Sequence, residues 1–262
     1  MKLKALHELG VQIENLLRLK TFCLGLKLIG TEDNMPPRAK RPKKDLGYHL
    51  SLCQALAISR REGRSIALQK DDMWCFEPVL GLGFAEPPKD FLEGHNRFPG
   101  TVRTLEAGKN WAQAFPRLDP GRFKGIVSAP LTRVDFVPDI VIIYCDPAQL
   151  TQLLTAVNWN DGSDITCRLS GHAACVYSIV PVIQNEQFQI TSPCMGDRRR
   201  ALAQDDEIIF SAPMKKIFDL VKGLKDLARN ECGLPLRFQQ MHEYELEESY
   251  AKIARLIGMD VG

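Results

Sequence analysis

A mixed α/β or α+β fold, with one or more mixed sheets covered by helices, is what this chain of 262 residues predicts. Three observations carry that reading. Amphipathic stretches of helical period alternate along the chain with short apolar runs of strand length. Proline, glycine and capping residues punctuate the two kinds of segment. The composition, 45% hydrophobic and 25% charged, is that of a packed globular protein. The length suits one globular unit, or two lobes divided near residues 120–125.

Residues 4–20 place Leu6, Leu9, Val11, Ile13, Leu16, Leu17 and Leu19 among charged positions, which predicts an amphipathic helix. Residues 22–29 read as a strand closed by Gly30. Residues 31–47 hold three prolines beside Arg38, Lys40, Arg41, Lys43 and Lys44, an exposed basic loop in which ring constraint and charge repulsion disfavour a helix. A helix resumes over 50–61, and 65–69 suggests a short strand. Gly81 and Gly83 lack the third glycine of a dinucleotide fingerprint and read as a tight turn.

Residues 87–115 predict two helical pieces broken at Pro99-Gly100. The apolar runs Gly125 to Leu131 and Ile140 to Cys145 predict buried strands. Asp146 and Pro147 then supply the N-cap and first position of a helix over 148–157. Further on, strands are expected at 188–191 and 207–211, a polar helical turn at 197–203, and helices over 214–229 and 244–257, the last stopped by Gly258. Ile126-Val127-Ser128-Ala129-Pro130-Leu131 is echoed by Ile209-Phe210-Ser211-Ala212-Pro213-Met214, either as duplicated substructure or as coincidence.

Charge and composition narrow the function. A net charge of +2, with basic and acidic residues interleaved, argues against a dedicated nucleic-acid domain. The N-terminal residues lack the apolar run of a signal peptide, and no stretch is long enough to span a membrane, so a cytoplasmic protein is expected. In that reducing compartment eight cysteines are not a disulfide framework. No phosphate-loop, nucleophile-elbow or His-Glu-x-x-His motif is present, and the dispersed tryptophans offer no visible stacking platform.

Several segments in order do resemble a known family. They are Leu52-Cys53-Gln54-Ala55-Leu56, Cys75, Gly81-Leu82-Gly83, Gly125 to Leu131, and Pro138-Asp139-Ile140-Val141-Ile142. Gly171-His172-Ala173-Ala174-Cys175 and Ser192-Pro193-Cys194-Met195-Gly196-Asp197-Arg198 complete the set. This pattern resembles the prokaryotic domain-of-unknown-function family 169, from the first strand to the helix after Met214. The resemblance implies a bacterial or archaeal cytoplasmic protein of a family frequent in anaerobes, and carries no established activity. It marks Cys53, Cys75, Cys175 and Cys194 as the cysteines that match.

Four thiolates can close a zinc site or hold an iron–sulfur cluster. The chain has no Cys-x-x-Cys, so four separate segments would have to converge. Cys194 precedes a helical start rich in arginine, a setting that favours the thiolate. His172 lies three residues before Cys175, and on a helix both would share a face. The leading expectation is therefore a cysteine-ligated zinc or iron–sulfur protein accessory to redox metabolism. An alternative is a binding module for a small anionic metabolite or cofactor, using the Cys194 to Arg200 turn with Gly196, Asp197, Arg198 and His172, helped by Arg60, Arg61 and Arg64. A third is a thiol-dependent enzyme built on Cys194. Partners are then a small molecule or a metal, and oligomeric state stays open.

Overall fold

The computed structural model describes residues 2–159, 162–230, 232–233 and 248–259. Its helices and strands follow in the order α1 (Leu3–Leu17), β1 (Leu24–Gly30), α2 (Leu52–Glu62), β2 (Ile66–Gln69), α3 (Phe76–Gly81), α4 (Lys89–Leu92) and α5 (Leu105–Ala114). Then come β3 (Phe123–Pro130), β4 (Ile140–Cys145), α6 (Pro147–Asn158), α7 (Ala174–Tyr177), α8 (Val180–Asn185) and β5 (Gln189–Thr191). The last are α9 (Met195–Arg200), β6 (Ile208–Pro213), α10 (Ile217–Arg229) and α11 (Glu248–Leu256).

The six strands form one sheet in the order β2-β3-β1-β4-β6-β5. Every strand pair in it is antiparallel, where mixed directions were expected. β3, which begins at Phe123, lies between β2 and β1, which come from before residues 120–125. Among the described residues, parallel pairing survives only as isolated bridges, including Lys40 to Ile66.

Side chains alternate across the sheet with a period of two. In β4, Ile140, Ile142 and Tyr144 enter one core, and Val141, Ile143 and Cys145 enter the other. Both faces are covered, which is why the strand reads as an unbroken apolar run. The first face packs Leu52 and Leu56 of α2, Val79 and Leu80 of α3, and Val176 of α7. The second packs Leu6, Leu9 and Ile13 of α1, Leu153 of α6, and Leu220 and Leu224 of α10.

Asp146 caps α6 as its sequence predicts: its carboxylate accepts from the Gln149 amide, and the Gln149 side chain accepts from Asp146 N–H. The basic loop differs from the expectation in being anchored. It contains a π-helical turn at Pro42–Leu46, and Arg41 pairs with the buried Asp72 at 2.8 Å. The two echoed segments share one local structure, a strand that ends in proline and enters a 3-10 turn, at Leu131–Arg133 and at Met214–Lys216. Residues 244–247 of the expected last helix lie outside the described residues; α11 and the positive φ of Gly258 lie within them.

Candidate functional site

Four helices begin around one opening on the first face of the sheet, and each carries a cysteine at its cap or its second residue. Ser51 caps α2 through a reciprocal pair of bonds with Gln54. Cys53 follows, its Sγ 3.0 Å from Ser51 Oγ. Cys75 caps α3 and donates to the Glu77 carboxylate at 3.8 Å. Cys175 is the second residue of α7, and Cys194 is the N-cap of α9. All four border a single cavity of about 340 Å³.

The remaining cysteines are elsewhere. Cys23 and Cys145 are buried in the core of the opposite face. Cys167 is half-buried and accepts from the Ile190 amide at 3.1 Å, and Cys232 is exposed.

Burial dominates the electrostatics of the cavity thiols. It pushes Cys53 up to about 12, helped by the charge of Asp197, and Cys75 up to about 12, helped by Glu77. Cys175 is raised well above the ordinary thiol value, again chiefly by burial. Left to themselves, these three sulfurs are protonated and neutral at physiological pH.

The entrance is aromatic and cationic. Trp74 donates its indole N–H to Gln54 Oε1 at 2.9 Å, and the Arg200 guanidinium lies over its ring at 4.4 Å. Arg97 is buried, ion-paired with Glu77 and stacked on Trp111 at 3.8 Å. Arg199 also borders the cavity.

Beneath the thiols lies a buried polar network. Tyr144 donates to Asp197 Oδ1 at 3.5 Å, and the Arg60 guanidinium stacks on Tyr144 at 3.9 Å. Asp197 Oδ2 is buried and has no hydrogen-bond partner among the described residues. Burial pushes the Asp197 carboxyl up to about 6 against the opposing charge of Arg60.

The expected anion cradle is arranged differently from the sequence reading. Gly196 borders the cavity, whereas Asp197 lies buried in the network below. Arg198 turns to the Gln204 carbonyl at 2.6 Å and to Asp205 at 3.5 Å. Arg60 is committed to Glu207, Arg61 to the Leu202 carbonyl and Arg64 to Glu62. His172 precedes α7 and so does not share a helical face with Cys175; its ring meets the edge of Trp111 at 6.2 Å. Burial, and then the charge of Arg97, lowers the His172 pKa.

Sequence reasoning missed Trp74, Glu77 and Arg97. The available signal was local: Trp74 and Glu77 flank Cys75 in the chain. For Arg97 there was none, because its partners lie on α3 and α5. Among the described residues, no three His, Cys, Asp or Glu side chains stand close enough, as placed, to hold a metal ion. No helix among them is long and apolar enough to cross a membrane.

Fold and site together define a mixed helix-and-sheet protein, an antiparallel sheet covered on both faces, with a thiol-bordered cavity at the starts of four helices. The chain belongs to domain-of-unknown-function family 169, described as "Uncharacterised ArCR", whose model matches residues 12–223. An uncharacterized protein of Methanocaldococcus jannaschii is 22% identical over 228 residues, covering 86% of this chain and 96% of its own. No solved structure matches.

Proposed function

We propose that the cavity holds a thiophilic inorganic centre, an iron–sulfur cluster or zinc, with Cys53, Cys75, Cys175 and Cys194 as its protein ligands, in a protein accessory to redox metabolism. The observation that carries this reading is the meeting of four cysteines from four helix starts at one cavity. Thiolates are the preferred ligands of soft metals. Burial keeps Cys53, Cys75 and Cys175 protonated, so a cation at the centre is what would give their protons reason to leave. The same burial counts against any of these three acting unaided as a nucleophile.

The two centres would ask different spacings of the same four thiolates. Zinc–sulfur bonds of about 2.3 Å pack the sulfurs of a tetrahedral site about 3.8 Å apart. For either centre the four side chains would have to close inward from where they stand. A cluster brings its own sulfide and lets its thiolates stand wider. Once bound it would supply one-electron transfer. The chain's own part is to hold the sulfurs, limit water and set the surrounding charge through Arg97, Arg199 and Arg200.

Purification under anaerobic conditions, with iron, sulfide and zinc analysis, tests the reading. Brown protein with stoichiometric iron, or protein with stoichiometric zinc, is expected, and Cys53→Ser with Cys175→Ser should abolish the loading. The reading fails if the protein is colourless and metal-free, takes up neither iron with sulfide nor zinc, and unfolds identically with and without chelator.

A further inference from the structure

We infer that the mouth of the thiol cavity binds a small planar anion, with its ring against Trp74 and its phosphate or carboxylate against Arg199 and Arg200. This inference is argued from the side chains at the entrance and not from what the four sulfurs hold, although both border the same cavity.

The apolar part of the argument is a cluster of large side chains left in water around that entrance. Trp74 is 45% exposed, Phe76 48% and Met195 56%, and all three border the cavity. Trp74 is not loose: its N–H bond to Gln54 ties it to the capping box that starts α2. A ring fixed in place and half in water is a prepared stacking surface, and contiguous exposed apolar area marks binding sites.

Charge supplies the second part. Of the cavity's three arginines, Arg97 is neutralised by Glu77. Arg199 and Arg200 are exposed and have no carboxylate partner among the described residues. Their neighbour Arg198, turned away on the same short helix, has both a carbonyl and an aspartate. Of the three arginines of α9, the two that border the cavity are thus the two without an acid partner among the described residues. Arg200 also lies over Trp74, so positive charge and ring surface are adjacent. A planar guanidinium binds phosphate or carboxylate through paired hydrogen bonds.

Size supplies the third. A cavity of about 340 Å³ lies at the lower end of the range of roughly 300–1,000 Å³ that takes small ligands. The class indicated is a ring-bearing anion of mononucleotide size.

Calorimetric and tryptophan-fluorescence titrations of the metal-free chain would test this with adenosine 5′-monophosphate and riboflavin 5′-phosphate, using adenosine and inorganic phosphate as half-ligands. At least one ring-bearing phosphate should bind and quench fluorescence, with both half-ligands at least about tenfold weaker. Arg199→Ala and Arg200→Ala should each weaken binding roughly tenfold, the scale of a lost charge-assisted hydrogen bond. Trp74→Leu should weaken it and remove most of the quench, and salt should weaken it in the parent chain. Both arginines are exposed, so circular dichroism should show the variants folded. Failure of both ring-bearing phosphates to bind more tightly than millimolar overturns the inference, as does affinity unchanged by the two arginine substitutions.

Discussion

Arg60 grips Glu207 with both terminal nitrogens, Nη1 at 2.6 Å and Nη2 at 2.9 Å, inside the protein. The pair joins α2, whose start carries Cys53, to the residue that precedes β6. It also holds the guanidinium flat against Tyr144, the residue that bonds Asp197. Removing one partner strands a buried charge. Arg60→Met should destabilise the fold by about 3–5 kcal/mol. The double variant Arg60→Met with Glu207→Leu should recover most of that loss. Urea unfolding of both variants is the check, and equal losses in the two would contradict it.

Asp197 makes stability depend on pH in a defined direction. Its carboxyl sits near 6 when folded, against an ordinary value of 3.8. A raised acid stabilises the fold fully below its unfolded value, and that stabilisation is lost as pH rises through the folded one. Asp197→Asn should therefore gain on the parent chain between pH 4 and 6, by an amount on the order of 2–3 kcal/mol. Unfolding curves across that window decide it; parallel pH profiles would show that Asp197 is not the group responsible.

Metal uptake should tighten as pH rises. Cys53, Cys75 and Cys175 all have thiols pushed well up, so a bound cation must displace at least their protons. Zinc competition assays at several pH values should give an affinity rising by at least about three decades per pH unit, one for each proton released. A pH-independent affinity would place the metal elsewhere.

Metal and anion should oppose each other at this cavity. Four thiolates around a divalent ion carry net negative charge, which offsets the attraction of Arg199 and Arg200 for a phosphate. Zinc-loaded protein should bind the ring-bearing phosphate several-fold more weakly, and the ligand should weaken zinc by the same factor. Paired titrations measure both sides of that cycle.

Gly108 tests the packing of α5 against the turn that follows α4. Alanine in a helix interior normally gains about 1 kcal/mol over glycine. Here a Cβ on Gly108 would meet the Gly94 carbonyl oxygen at 2.5 Å, backbone that cannot swing aside. Gly94 itself has φ +86°, and its Cβ would meet the Gly108 and Lys109 backbone at 2.2 Å. Gly108→Ala should therefore destabilise, by roughly 1–3 kcal/mol. Thermal unfolding that shows a gain would refute the close approach of these segments.

Some of this was legible in the sequence because its causes are local. The Asp146-Pro147 start of α6 depends on a side chain and an amide three residues apart. The strand character of Ile140–Cys145 depends on six consecutive apolar residues. The short helices α3 and α7 left little trace, because six or four residues are too few to show a helical period. The expectation for His172 and Cys175 failed on that point: the helix begins after the histidine.

By itself the sequence determined the α1, α2 and α10 amphipathic faces, the buried strands, the cap of α6 and the supply of cysteines. Periodicity and capping act over a few residues, so they can be read in one dimension. Strand direction, the burial of Arg60 with Glu207, and the placing of four cysteines around one cavity were decided by tertiary structure. The sheet order β2-β3-β1-β4-β6-β5 brings together segments far apart in the chain. Pairing of that kind is set by how both faces bury their apolar side chains, a condition that no single stretch of residues records.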